Sequence, residues 1–478
     1  MSDASDSEAV AGTGASVHLE DGPRPLPGKP IPRLALAREV AGLAWPAIAR
    51  GLLMTFVFLV DRIMLGRYDS EALASMQVSG PLLWSVFMVF TAFAAGTIAV
   101  VGRCVGAGDS ERAQRAIRGV LLFAVALGVV AAIAGFASRG LVAQALAGMA
   151  EENAVIRAHA GTYLGITFPF APLFFFGMLG FTIMQASGDT RTPLFIAAFC
   201  HSINVLCNWL FIFGNLGMPE LGIGGAAVGT ASAFALEGLI AFVVLRRRRH
   251  MARLVIKRPD RKDAKALRDV LRISGPAFVE RVLFHIGFLC FAAIIGRLGE
   301  TAMAANQALI AIESIGFITS AGFAVAAGAL VSQRLGLRDP DRAAACGWMA
   351  TAMAVFVLLM VAVLFVLAPQ HLIRLFSTEE EIVVLGAMCL LIAALAQPFM
   401  ATTDVLAGSL RGAGDTKNPM IVAVIGPVFV RILASWVLAF PLGLGLIGVW
   451  LGSTLDWMVR AVWLWIVFQR GRWRSIEV

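Results

Sequence analysis

From about residue 40 onward the chain alternates between long apolar runs and short polar segments. The runs fall near 40–64, 72–101, 117–137, 158–184, 192–214 and 221–245, then near 270–295, 305–333, 343–368, 380–410, 418–440 and 445–469. Each reaches the ~20 residues that a helix needs to cross a bilayer core. None alternates strictly between apolar and polar over ten-residue stretches, as a barrel strand would. A helix also satisfies its own backbone in lipid, which an isolated strand cannot. The pattern predicts an all-α integral membrane protein with twelve transmembrane helices. Gly and Ala recur inside the runs, where small side chains allow helices to approach closely.

Composition supports this reading: 59% of the 478 residues are hydrophobic, a further 48 are glycine, and 15% are charged. Soluble domains carry ~25% charged residues. The net charge of +8 is unevenly placed. Of the 39 Lys and Arg, 29 lie in the N-terminal tail, the even-numbered loops and the C-terminus, and five lie in the odd-numbered loops. The rest, Arg50, Arg62, Arg281, Arg431 and Arg460, fall within spans. The positive-inside rule then puts both termini and the 246–269 loop in the cytoplasm of a bacterial inner membrane protein. The charge reports topology and gives no reason to expect a nucleic-acid partner. Arg246-Arg247-Arg248-Arg249 reads as an anchor at the lipid headgroups. Residues 1–33, acidic at first and proline-rich later, read as a disordered tail, with no cleavable signal peptide. The six cysteines show no metal-ligand spacing. HExxH, P-loop and GxSxG motifs are absent, so nothing points to an enzyme or to an organic cofactor.

Internal repeats organise the chain further. Leu65-Gly66-Arg67 matches Ile295-Gly296-Arg297 at an offset of 230. Gly106 through Ala113 matches Gly336 through Ala343 at the same offset. Gly188-Asp189-Thr190-Arg191-Thr192-Pro193 matches Gly414-Asp415-Thr416-Lys417-Asn418-Pro419 at an offset of 226. Each half holds six spans and starts on the same side, which makes the halves parallel repeats about an axis along the membrane normal. That plan is typical of secondary transporters, with the substrate path between the halves. The expected organisation is a tail (1–33), an N-terminal lobe (34–245), a basic linker (246–269), a C-terminal lobe (270–469) and a short tail (470–478).

These residues give the chain a resemblance to the multidrug and toxic compound extrusion (MATE) transporters. Carrying it are Val60-Asp61-Arg62-Ile63-Met64-Leu65-Gly66, the paired Gly-Asp-Thr loops, Ala304-Ala305-Asn306-Gln307 and Gly225-Ala226-Ala227-Val228-Gly229-Thr230. The resemblance runs from about 40 to 470. It implies two six-helix bundles forming a V-shaped central cavity and, as activity, export of organic cations in exchange for H⁺ or Na⁺. In the family the aspartate matching Asp61 is the coupling residue. Its second aspartate is here Asn208, which cannot titrate. A carboxylate pair on the seventh and tenth spans is matched by Glu280 and Asp404, each displaced by about one turn.

Read directly, a charge at a helix centre costs ~2.5–3.5 kcal/mol on insertion scales and needs a partner, water or a role. The acids so placed are Asp61, Glu237, Glu280, Glu313, Asp404 and Asp456. Met54, Phe58 and Asp61 lie at i, i+4 and i+7, an apolar wall and a carboxylate on one helical face. Asn204 and Asn208 are expected to face Asp61 from the fifth span, and Thr230 would complete an all-oxygen cluster able to take Na⁺; amides tying neighbouring helices together are the alternative. Gln77 and Gln307 occupy equivalent positions and, with Met54, Phe58 and Glu313, are expected to line the central cavity. Arg50 plus 230 is Glu280, opposite charges that would pair across the lobes when the cytoplasmic side is closed; pairing within each lobe is the alternative. Asp404 could instead pair with Arg411. Asp456 and Arg460, at i and i+4, read as a structural salt bridge. His201 and His285 read as packed side chains. Met and Phe in abundance suit a chamber for lipophilic cations. The whole reads as a monomeric exporter in a lipid bilayer, with a lipid-linked oligosaccharide flippase of related architecture as the nearest alternative and a non-transporting receptor or scaffold as the remoter one.

Overall fold

The computed structural model describes residues 32–147, 154–248, 252–258 and 260–478. Among these are twelve helices long and apolar enough to span a membrane: α1 (Arg33–Tyr68), α2 (Ser70–Ala107), α3 (Ser110–Ala145), α4 (Ala154–Ala186), α5 (Arg191–Phe213), α6 (Ile223–Arg247), α7 (Arg261–Gly296), α8 (Glu300–Gly336), α9 (Pro340–Leu367), α10 (Glu380–Gly412), α11 (Lys417–Ala439) and α12 (Gly445–Arg470). Several overrun the apolar runs that announced them. The polar extensions of α1 and α7 are good helix formers, so the helix continues past the hydrocarbon layer. Breaks inside the spans have local causes. Pro46, Pro81, Pro276 and Pro398 sit within α1, α2, α7 and α10, each removing one backbone donor. A 3₁₀ turn at Phe168–Phe170 interrupts α4, and a π-helical segment at Ile425–Arg431 interrupts α11.

The repeats recur as equivalent loop geometry. Gly188 and Gly414 both take a left-handed backbone, at φ 87° and 89°, where a Cβ is strained. The aspartate after each glycine accepts from the backbone three residues on: Asp189 from Thr192 at 2.9 Å, and Asp415 from Asn418 at 3.2 Å. Such a cap is worth ~1 kcal/mol at a helix start. In the other repeated loop, Asp109 and Asp339 cap Arg112 and Arg342 in the same way.

Each half lends the beginning of its first helix to the other half. Leu36, Val40 and Ala44 of α1 share a core with Phe323, Leu330, Leu358 and Met400 of α8, α9 and α10. Reciprocally, Ala266, Val270 and Ile273 of α7 join the core built by α2, α3, α4 and α6. Polar ties follow the same exchange. Asp263 of α7 pairs with Arg118 of α3, and Glu39 of α1 pairs with Arg334 of α8. Asp260 caps α7, and the backbone N–H of Asp263 holds its carboxyl below the usual carboxylate range. Of the basic 246–269 segment, Arg248 pairs with Asp189 rather than standing free for lipid headgroups; Ala252 and Leu254 are buried in the N-terminal core. Arg249 and the tail residues 1–31 lie outside the described residues.

The face at which α1 begins and α12 ends is sealed where α2 crosses α8. A Cβ on Gly106 would lie 2.0 Å from the Gln333 carbonyl oxygen, and one on Gly336 would lie 2.3 Å from that of Arg103. These two contacts are pseudo-symmetric counterparts, since 106 and 336, like 103 and 333, are 230 apart. Arg103 also donates to the carbonyls of Ala413 (2.7 Å) and Ile476 (2.6 Å). Gln333 donates to the Ala186 carbonyl at 2.7 Å.

Candidate functional site

In the N-terminal half, α1, α5 and α6 meet around Asp61, which is 7% exposed. Asn208 of α5, fully buried, donates its amide to Asp61 Oδ1 at 2.6 Å, and the same amide reaches Asn204 Oδ1 at 3.4 Å. The four-residue spacing of the asparagines makes this chain possible on one helix face. Asn208 Oδ1 is buried without a hydrogen-bond partner. It is turned toward Gly229 of α6, where a Cβ would sit 2.0 Å away. Glycine at 229 is therefore what lets α6 close on α5 at this level.

Thr230, next along α6, makes no hydrogen bond to Asp61. Its hydroxyl is 3.1 Å from that of Tyr163 on α4, a residue the sequence reading passed over. The tyrosine lies within electrostatic reach of Asp61. The expected all-oxygen cluster thus divides into an Asp61–Asn208–Asn204 chain and a Thr230–Tyr163 pair. The wall of Met54 and Phe58 divides as well. Asp61 turns into the bundle, whereas Phe58 is 42% exposed and edge-on to Trp84.

Toward the sealed face the same three helices hold a second polar group. Glu237 of α6 is 8% exposed, and its Oε1 is 3.9 Å from Nε2 of His201 on α5. The Arg50 guanidinium is within Coulombic reach of Glu237 and lies 5.7 Å from the Phe181 ring centroid. The Arg50–Glu280 pairing expected for the closed state is therefore corrected. The face is closed, yet Arg50 points into its own half and Glu280 Oε1 accepts from Arg411 at 2.8 Å. Arg411 of α10 reaches Glu280 of α7, so the partner comes from its own half. This pairing also removes Arg411 as the ion-pair partner considered for Asp404, which instead accepts from Ser320 of α8.

Elsewhere in the C-terminal half, Glu313 is buried and Gln307 is exposed; in the N-terminal half, the side chain of Gln77 lies outside the described residues. Asp456 Oδ2 accepts from Arg460 at 2.8 Å, as the spacing indicated, and also from Arg431 at 3.0 Å. The π-helical segment of α11 delivers Arg431 to this site and brings Gly426 against Asp456 Oδ1. A cavity of about 790 Å³ involves Ser202, Val205, Leu206 and Trp209 of α5. These residues lie roughly a third of a turn around the helix from His201, Asn204 and Asn208, so the cavity is not the Asp61 site.

Twelve spanning helices in two related halves, with carboxylates held inside the bundles, define a membrane transporter. A family model described as MatE matches residues 46–210 and 276–437, and the chain belongs to that family: it is a multi-pass membrane transporter and not an enzyme. A Thermotoga maritima protein named "Probable multidrug resistance protein NorM" is 28% identical over 464 residues, covering 95% of this chain and 96% of the relative. A solved outward-facing multidrug resistance MATE transporter superposes with a TM-score of 0.82 at 20% identity, over 93% of this chain and 98% of that one. A Vibrio cholerae MATE transporter gives 0.83 at 18% identity, over 92% and 97%. The fold is thus that of two six-helix bundles forming a V around a central cavity.

Proposed function

We propose that this protein exports organic cations from the bacterial cytoplasm in exchange for protons, by alternating access between lobes 34–245 and 270–469, with Asp61 as the coupling carboxylate. The hydrogen bond from Asn208 to Asp61 inside the N-terminal bundle carries this reading. A carboxylate held by one neutral amide can bind either a proton or a cation, and each displaces the other. The Asn208 amide, turned with its NH₂ toward Asp61 and its oxygen against Gly229, favours H⁺ over Na⁺, because a sodium ion would need that oxygen as a ligand. The basic residues assign the sealed face to the cytoplasm, which makes this the outward-facing state. The protein works as a monomer and needs no organic cofactor.

The test is ethidium efflux from proteoliposomes with pH and Na⁺ gradients imposed separately, for wild type and Asp61→Asn. Efflux driven by the pH gradient and lost in Asp61→Asn is the expected result. Efflux driven only by Na⁺ would replace the coupling ion. Gradient-driven efflux that survives Asp61→Asn would move coupling to Glu280 and Asp404. No gradient-driven movement of any organic cation would remove the export reading.

A further inference from the structure

The interior of the N-terminal bundle holds two polar layers on the same three helices. Asp61, Asn208 and Thr230 form one; Arg50, His201 and Glu237 form the other, respectively 11, 7 and 7 residues away along α1, α5 and α6. At 1.5 Å per residue the layers are on the order of 10 Å apart, with Asn204 between them on α5. The second layer has no place in the coupling reaction described above. We propose that Glu237 is a second proton site of the exchange cycle, with Arg50 as its fixed counter-charge, so that two protons enter for each monovalent cation that leaves.

With His201 neutral, Arg50 and Glu237 cancel, and Asp61 leaves this interior with one negative charge. A monovalent organic cation neutralises it. A proton on Asp61 alone also brings the interior only to zero, which competes with the cation but does not repel it. A proton on Glu237 as well leaves Arg50 uncompensated, and the interior becomes net positive. The cation is then actively disfavoured, through an interaction that low-dielectric surroundings strengthen.

The contacts suit such a role. Glu237 Oε1 stands 3.9 Å from His201 Nε2 and is not hydrogen-bonded to it, and Arg50 Nε is buried without a partner. This carboxylate is therefore not locked into a bidentate ion pair, unlike Asp263 with Arg118 at the sealed face. His201 is the neighbouring proton carrier. When His201 takes up a proton and its Nε2 closes from 3.9 Å to hydrogen-bond distance of Glu237 Oε1, the proton leaves Nε2, the N–H electron pair stays on nitrogen, and an O–H bond forms at Glu237. Other titratable groups near α6 are few. From α5 come His201 and Cys200, and from α1 come Arg50 and Asp61. From α4, Tyr163 contacts Thr230, Arg157 and His159 lie further toward the unsealed face, and Ala171–Ala186 carries no titratable side chain.

This inference rests on the proton-coupled reading of Asp61, and voltage separates the two. A two-for-one exchange moves one net charge, so a potential of about 100 mV changes the steady-state ethidium gradient roughly 40-fold. Wild-type proteoliposomes, corrected for protein-free liposomes, are expected to show that response. The double variant Arg50→Gln/Glu237→Gln, which keeps the interior at one negative charge, is expected to keep pH-driven efflux and lose the voltage response, because a one-for-one exchange is electroneutral; Glu237→Asp, with Arg50 in place, is expected to retain it. A voltage-insensitive wild type, or an Arg50→Gln/Glu237→Gln protein with an undiminished response, overturns the inference while leaving Asp61 coupling intact. Survival of pH-driven efflux in Asp61→Asn overturns both. A second measurement needs no change at Glu237. Ethidium binding to detergent-solubilised Arg50→Gln, followed from about pH 9 down to about pH 5, is expected to persist at acidities where wild type has released the dye. Loss over the same pH range as wild type would overturn the role of Arg50, and with it the proposal.

Discussion

A single missing methyl group sets the geometry around Asp61. Gly229→Ala would place a Cβ 2.0 Å from Asn208 Oδ1, so the Asn208 amide must shift, and its hydrogen bond to Asp61 with it. The expected cost is ~1–3 kcal/mol, as for other overpacked cores, read as a lower thermal midpoint in detergent together with weakened pH-driven efflux. Tyr163→Phe is gentler. It removes the hydroxyl bonded to Thr230 and should cost ~0.5–1.5 kcal/mol, with Tyr163→His unable to restore the wild-type midpoint. Asp61 and Asn208 were legible in the sequence because an acid and an amide inside apolar runs stand out. Tyr163 could have been found by the same logic, as one of only two tyrosines in a chain with 32 phenylalanines. Of the two pairings open to Glu280 in the sequence, across the lobes to Arg50 or within its own half, the second is the one formed. A repeat offset says which positions are equivalent, but not toward which neighbour a side chain turns.

At the level of single helices, run length alone marked all twelve spans, because lipid leaves few alternatives to helix. The π-helical segment of α11 was not visible in that signal. Its extra residue per turn is stabilised by tertiary partners: Arg431 reaches Asp456, and Gly426 leaves room for the carboxylate. Asp456→Ala would leave Arg431 and Arg460 as buried charges without their shared acceptor. Breaking a buried pair in this way costs ~3–5 kcal/mol. The measurable outcome is a large loss of thermal stability, partly recovered when Arg431→Met is added. Equal destabilisation with and without the second substitution would show that the charges had found other partners.

Across the whole molecule, the two halves exchange the first turns of α1 and α7 and approach closely where α2 crosses α8. Neither feature was readable from hydrophobic pattern, which records what is buried and not by which half. Gly106→Leu or Gly336→Leu should wedge the crossing apart. Distances between spin labels at positions 110 and 341 are expected to lengthen by several ångströms in either variant, and an unchanged distribution would show that the seal lies elsewhere. Because both substitutions press on the same crossing, their effects should fall short of additive in the double variant. The reciprocity of its two contacts has a kinetic consequence. When Gly106 leaves the Gln333 carbonyl, Gly336 must leave that of Arg103, since the two are halves of one pseudo-symmetric approach. The crossing has no half-released arrangement in which one side holds while the other has let go. Its opening is therefore a single cooperative step, and relaxation after a pH jump should follow one exponential.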